Sequence, residues 1–387
     1  MLTQLVEAWR SARRFSRLPP RDRQLVFYAE DAASRPHLEP IIRHLTGELG
    51  HTLCYLTSNR ADPALKRSDP RMRSFYIGAG AVRTILFAGL TARVMVVTMP
   101  ELEMSYIKRS RACPVRYVYV FHSIVSTHMI YRREAFDHFD VVFLVGPHHE
   151  REIRAAEREY RLPVKQLFPH GYGRLDSILA ESAAAGRPPR AGGRSRVLLA
   201  PSWGPHGLLE NHAREIVASI LGAGHELVVR PHPMTAKENP GVVEQLRSFR
   251  HEPRFSLETD VASSTSLLWA DVMVSDWSGA ALEFAFGVGR PVLFIDVPRK
   301  VRNAEYERLG CEPLEVGIRE TAGRVLSTGR LGEAGTVISA LDSSAAAWGD
   351  RLRKAREAAV YNVGTSGRAG AERLAAMLRA APRDGFR

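Results

Sequence analysis

Short apolar runs rich in β-branched and aromatic residues, separated by segments of helical period, are the feature that most restricts what this chain can become. LVFYA (25–29), HTLCYL (51–56), TILFA (84–88), RVMVVTM (93–99), VRYVYVF (115–121) and DVVFLVG (140–146) each read as a strand, and LEPIIRHLTGEL (38–49) and HHEREIRAAERE (148–159) read as helices between them. Runs that are apolar at nearly every position have no polar face to give to water. Such strands must be covered on both sides, which predicts a parallel sheet flanked by helices.

The alternation stops at AAAGRPPRAGGRSR (183–196), which has linker composition, and then resumes. RVLLAP, a helix near 208–221, HELVVRP, a helix near 236–249, DVMVSD with its helix, and PVLFID follow in order. The expected fold class is therefore α/β, with two doubly wound Rossmann-like domains and a cleft between the carboxyl ends of their sheets. The expected divisions are an amphipathic basic helix at 1–20, a first domain at 21–185, a linker at 186–196, and a second domain at 197–387 that ends in two helices separated by a Gly-containing break. The last helix has the length to cross back to the first domain.

ADVMVSDWSGAALEFAFGVGRP (270–291) carries the strongest functional signal. A strand stops at Ser275-Asp276-Trp277-Ser278-Gly279 and turns directly into a helix. The free N–H groups at a helix start, together with the macrodipole, favour a phosphate there, although Ser-Gly is also an ordinary N-cap.

Four other segments follow strands and reach the same rim: FHSIVSTHM (121–129), PHGYGRLDS (169–177), APSWG (200–204) and RPHP (230–233). His122 is placed to take a proton from a hydroxyl at neutral pH, with His128 a weaker candidate. In RPHP, two prolines hold His232 beside Arg230, so that an imidazole and a cation suit a diphosphate; the alternative is Arg230 in a surface ion pair with His232 as a cap. Asp176 reads as a cap for a helix starting at Ser177. His148-His149-Glu150 lacks HxxxH or HExxH spacing, and the chain has neither GxSxG nor GxxxxGK[ST], so no metal, serine-hydrolase or P-loop chemistry is indicated.

The formal net charge of +12 calls for an anionic partner. No RNP, KH or zinc-finger pattern accompanies it, which argues against nucleic acid. Cys54, Cys113 and Cys311 are far apart and form no CxxC pair, as in a protein of a reducing compartment. No apolar stretch approaches a membrane span, and the N-terminus does not read as a signal peptide. In MLTQLVEAWRSARRFSRL, Leu2, Leu5, Val6, Trp9, Ala12 and Phe15 share one helical face and Arg10, Arg14 and Arg17 gather opposite, with Arg13 at the margin. That pattern fits either an anionic membrane surface or packing on the protein itself. The expected location is cytoplasmic, held peripherally at the inner face of the cell membrane. Nothing in the sequence points to a particular oligomeric state.

Taken together and in order, the loop segments resemble the CDP-glycerol glycerophosphotransferases that build teichoic acids. That family shows strand-HG, G-Y-P-R-x-D, A-P-T-W, R-x-H-P and T-D-Y-S-S before a helix. The counterparts here are His122-Ser123, Gly171-Tyr172-Gly173-Arg174-Leu175-Asp176, Ala200-Pro201-Ser202-Trp203, Arg230-Pro231-His232-Pro233 and Ser275-Asp276-Trp277-Ser278-Gly279. The resemblance spans about residues 85–300 and departs from the pattern at Ser123, Gly173 and Gly279.

It implies a GT-B fold, with His122 as general base and His232 and Ser278 holding the pyrophosphate. Arg230, Asp276, Gly279, Ser202 and Trp203 complete the donor site, and Ser123, Arg174, Asp176 and Glu283 are further cleft residues. It also implies no metal and no cofactor beyond the substrate, CDP-glycerol or another nucleotide-activated donor. The acceptor would be a hydroxyl of a glycan or a lipid-linked polyol phosphate, and CMP would leave. A GT-B glycosyltransferase using a nucleotide sugar, or an epimerase of the same architecture, are the competing readings.

Overall fold

A computed structural model describes residues 2–104, 106–186, 193–259 and 263–380. Asp260 and most of the expected linker lie outside the described residues. The first sheet contains β1 (Leu25–Ala29), β2 (Leu53–Thr57), β3 (Met72–Tyr76), β4 (Val94–Val97), β5 (Arg116–Val120), β6 (Val141–Leu144) and β7 (Gln166–Pro169). All pair in parallel, in the order β3-β2-β1-β4-β5-β6-β7. The second contains β8 (Arg196–Leu199), β9 (Glu226–Val229), β10 (Phe255–Leu257), β11 (Val272–Ser275), β12 (Val292–Asp296) and β13 (Gly323–Ser327). Its order, β10-β9-β8-β11-β12-β13, is again parallel throughout. The central strands are buried at every position, as their unbroken apolar runs require.

Helices α1 (Leu2–Ser16), α2 (Arg35–Arg43), α3 (Ala81–Ala88), α4 (Pro147–Glu159) and α5 (Gly173–Ala185) accompany the first sheet. The second is accompanied by α6 (Leu208–Gly222), α7 (Pro233–Glu238), α8 (Pro240–Arg247), α9 (Thr265–Trp269), α10 (Gly279–Val288), α11 (Leu314–Gly317), α12 (Arg319–Ala322), α13 (Ala334–Ser343) and α14 (Ala345–Ala359). The last helix, α15 (Ser366–Arg379), returns to the first domain, where Ala371, Leu374 and Met377 join the core formed by Leu38, Ile41 and Phe143.

Three expectations are corrected. TILFA is not a strand but the body of α3: Val82, Leu86 and Phe87 are buried while Ile85 is 55% exposed, a helical rather than alternating pattern, between Gly80 and Gly89. The helix near 236–249 is two helices, because Pro240 opens α8 directly after α7. Asp176 does not cap a helix beginning at Ser177. It lies in the first turn of α5 and accepts the N–H groups of Gly364 (2.6 Å) and Ser366 (2.8 Å), fastening the start of α15.

In each sheet the chain starts in the middle and winds both ways, so strand order reverses between β1 and β4 and between β8 and β11. Ligands of doubly wound sheets bind outside the carboxyl ends of the strands at such reversals.

Candidate active site

Both reversals open onto one cleft of about 610 Å³. Glu30 and Asp31 follow β1, Thr98 and Met99 follow β4, and His122 follows β5; Ala200 and Pro201 follow β8, His232 follows β9, and Ser278 follows β11.

Two of the imidazoles that line this cleft have opposite tautomers. His122 Nδ1 lies 2.9 Å from the Thr98 carbonyl oxygen, which can only accept, so Nδ1 carries the proton and Nε2 keeps its lone pair. Burial lowers its pKa below 6.5, against the opposing pulls of the Thr98 hydrogen bond and Asp31, so the ring is neutral at pH 7. His232 is reversed: its Nδ1 accepts the Met234 N–H at 3.1 Å, capping α7, so the proton is on Nε2. Burial, with Lys300 nearby, lowers its pKa to about 4. One ring is built to take a proton and the other to donate a hydrogen bond.

The start of α10 lines the same cleft. Ser278 is its N-cap, with Oγ accepting the Ala280 N–H at 3.3 Å, and both residues line the cleft. Asp276 is buried behind the turn. Its carboxylate accepts the N–H groups of Ser202 (2.6 Å) and Leu208 (3.3 Å), tying the loop after β8 to the loop after β11. Ser202 and Asp276 therefore shape the wall and are not among the residues lining it. Trp203 stacks near the His232 ring, at 5.9 Å between centroids, with the Lys300 ammonium 4.3 Å from its own centroid.

The arginines are mostly engaged already. Arg230 lines the cleft but its Nε donates to Glu258 at 2.9 Å and its Nη2 to the Ser263 carbonyl and Ser266 Oγ, inside a buried cluster. Arg174 lies 4.0 Å from Glu283, whose other oxygen accepts from the Tyr172 hydroxyl at 2.6 Å; this joins the first domain to α10. Arg302, after β12, is exposed, lines the cleft and has no anionic partner among the described residues. Lys300 is held down to about pKa 8, chiefly by burial. Sequence reading did not single out Arg302, Lys300, Asp31 or His37, because their placement depends on the order of the strands and on loops distant in sequence.

The loop carrying His122 is pinned from several sides. His148 and His149, at the start of α4, lie within 2.8 Å and 2.9 Å of the carbonyl oxygens of Ile124 and Val125. Glu315 of the second domain accepts the N–H (2.8 Å) and hydroxyl (2.6 Å) of Ser126, and Glu152 those of Thr127. His128 bridges the domains, with Nε2 2.9 Å from the Cys311 carbonyl and Nδ1 3.4 Å from Glu152. It lines no part of the cleft, and this pin replaces the weaker base role.

Burial pulls the pKa of His128 down, but Glu152 and the Cys311 carbonyl outweigh it and leave it raised. The folded pKa exceeds the unfolded value near 6.5, so the stabilising contribution is whole below that pH and disappears as pH rises through the raised value. Urea unfolding across pH 5.5 to 9 should show a loss of stability on the alkaline side that is absent in His128→Asn. Parallel profiles for the two proteins would count against this pin.

No group of three or more His, Cys, Asp or Glu side chains suited to a metal ion occurs among the described residues.

Two facing doubly wound domains whose reversals share one cleft constitute the GT-B arrangement. The wall teichoic acid polymerase TagF, soaked with CDPG, is similar at a TM-score of 0.51 and 13% identity, covering 96% of this chain and 99% of its own. The Methanocaldococcus jannaschii UDP-GlcNAc 2-epimerase in complex with UDP-GlcNAc and UDP gives 0.56 at 14% identity, covering 92% and 99%. Anabaena Alr3699/HepE in complex with UDP and glucose gives 0.53 at 11%, covering 91% and 99%. No curated protein sequence matches the chain. The sequence model of the CDP-glycerol:poly(glycerophosphate) glycerophosphotransferases matches residues 91–300, more than half of the 387 residues, and the chain belongs to that family.

Two departures from the family pattern noted above meet in space. A Cβ at Gly279 would lie 2.4 Å from Ser123 Oγ, so the serine after the base occupies the room left by the glycine of the turn.

Proposed function

We propose that the enzyme transfers glycerol phosphate, or a related phosphopolyol, from CDP-glycerol to a hydroxyl of a membrane-linked glycan or polyol-phosphate acceptor, releasing CMP, in cell-surface polymer synthesis. The opposite tautomers of His122 and His232, on one cleft with the α10 turn, are the observation that supports this reading best. The acceptor oxygen attacks the β-phosphorus of the donor as the P–O bond to CMP breaks. His122 Nε2 takes the hydroxyl proton. The Nε2–H of His232, the first-turn N–H groups of α10 and the Arg302 cation stabilise the phosphoryl oxygens, where charge spreads in such a transfer. The β-phosphate then remains with the glycerol as a new phosphodiester.

Replacing His232 by Ala should weaken CDP and CMP binding about tenfold or more, the worth of a hydrogen bond to a charged group. Calorimetry measures this, and unchanged affinity would remove His232 from the phosphate site.

The acceptor's membrane anchorage matches the surface of α1. The helix packs Ala8, Ser11, Ala12 and Phe15 onto its domain but leaves Leu5, Val6 and Trp9 each more than 40% exposed, with Arg10, Arg13, Arg14 and Arg17 exposed around them. Packing thus claims only part of the apolar face. The remainder, ringed by cations, suits an anionic lipid surface, and the exposed Ile85 of α3 adds to the apolar surface. No helix among the described residues is long and apolar enough to cross a membrane. Leu5→Ser combined with Trp9→Ser spares the packed face and should abolish most co-sedimentation with phosphatidylglycerol liposomes. Undiminished binding would exclude this surface.

A further inference from the structure

Gly279 opens α10, yet its backbone does not call for glycine, because its φ is not positive. Glycine in a helix is less stable than alanine. The missing side chain is explained by the facing loop of the first domain. A Cβ at 279 would overlap Ser123 Oγ, whereas Ser123 Cβ, at 3.6 Å, and Val125 Cγ1, at 3.7 Å, would be in ordinary contact. Only the serine hydroxyl claims the space.

Little within the protein holds that hydroxyl there. Its oxygen lies 3.5 Å from the Val125 nitrogen, at the outer limit of a hydrogen bond, and its proton finds no acceptor among the described residues. The backbone beneath it is fixed, with the carbonyl oxygens of Ile124 and Val125 met by His148 and His149 and Ser126 held by Glu315. Ser123 is half-buried, and His122 on its own loop and Ser278 and Ala280 on α10 line the cleft. An uncommitted O–H thus stands one residue from the base and against the first residue of α10.

We propose that Ser123 is a further catalytic residue of the transfer, its hydroxyl donating to an oxygen of the phosphoryl group seated at the α10 turn. This rests on the transfer reading above. The base and one phosphoryl donor then ride on a single rigid loop of the first domain, while His232 and the α10 N–H groups act from the second. Ser123 keeps its proton throughout and forms no bond to phosphorus. A donor offered from the base's side bears on the phosphoryl oxygens as charge spreads over them in the transfer, so its removal should lower kcat more than donor affinity. The same geometry makes a side chain at 279 and the hydroxyl of Ser123 mutually exclusive, since a Cβ at 279 turns that hydroxyl aside.

The test follows CMP release from CDP-glycerol by the full chain with two soluble acceptors, an alkyl glycoside and the same glycoside bearing a terminal glycerol phosphate, and uses the faster of the two. Ser123→Ala and Gly279→Ala should each lower kcat at least about tenfold, the worth of a hydrogen bond to a charged group. Calorimetric affinity for CDP-glycerol should stay within about threefold, which also shows that the variants fold. The two alanines together should cost no more than either alone, because both remove the same hydroxyl. Ser123→Gly combined with Gly279→Ser returns a hydroxyl to that space from the other side and should recover most of the lost kcat. Recovery in the double-alanine protein would mean that only the overlap mattered, and would overturn the donor role. Unchanged kcat in Ser123→Ala, a loss carried wholly by donor affinity, or no recovery in the exchanged pair would overturn it as well, with the donor site left standing. Failure of the unaltered protein to bind CDP-glycerol, or to release CMP with either acceptor, would overturn the transfer reading and this inference with it.

Discussion

Replacing His122 by Ala should lower turnover by about two to four orders of magnitude, the usual contribution of a general base, with CDP-glycerol affinity little changed. The reason lies in the ring's fixed orientation. Thr98 holds the proton on Nδ1, which leaves Nε2 as the basic atom of the ring, and burial keeps the ring neutral at pH 7. The same burial sets the sign of the pH dependence. Because the pKa is lowered from 6.5, the ring remains an unprotonated base on mild acidification, and the acid limb of the kcat/KM profile should fall below pH 6.5. His122→Gln should lose the limb together with the activity. A variant with turnover near that of the unaltered enzyme, or an acid limb above 6.5, would remove His122 from the role.

The second large effect is expected at Glu283, and it concerns stability as well as rate. This carboxylate from α10 receives the Tyr172 hydroxyl at 2.6 Å and faces Arg174 at 4.0 Å, and Tyr172 also lies 3.0 Å from the carbonyl oxygen of His122. Glu283→Ala strands Arg174, which is only 7% exposed, without its countercharge. Breaking a buried pair from one side costs about 3 kcal/mol or more, a large share of the roughly 5–15 kcal/mol that holds a typical domain folded. Glu283→Gln keeps an acceptor for Tyr172 and should fall between the two. Urea unfolding at pH 7 measures the difference, and an unchanged midpoint for Glu283→Ala would mean that the pair does not tie the domains together. Loss of turnover should accompany the loss of stability, because the same contact positions the backbone of His122.

The central strands and the second-domain loops were legible because each carries a local signal. β1, β4, β5, β6, β8, β11 and β12 are buried on both faces, so their sequences are apolar almost without interruption. The edge strands β7, β10 and β13 lack that signature: Gln166 and Pro169 are exposed in β7, and Arg324 and Val325 in β13. β3 was missed for the same reason, with Arg73 exposed and Ser74 half-buried after the buried Met72. TILFA misled because five residues are too few to separate a helical from an extended period once the flanking glycines are set aside.

In the site, His122, His232 and Ser278 follow strands in short, distinctive loops, and all three line the cleft. The fates of Arg230 and Asp276 depend on partners distant in sequence. Glu258 engages the first, and the N–H groups of Ser202 and Leu208 engage the second, and no local pattern announces either. Asp31 and His37 were passed over because polar residues after a first strand look like an ordinary turn until the sheet order places them at the reversal.

The most direct test of the account is calorimetric titration of the purified chain with CDP-glycerol, CMP, CDP, UDP and UDP-sugars, repeated on Ser278→Ala. The account predicts selective binding of the cytidine ligands that weakens in the variant, since Ser278 caps the helix whose N–H groups are proposed to hold the phosphate. Preference for UDP or a UDP-sugar, or cytidine affinity untouched by the substitution, would contradict it.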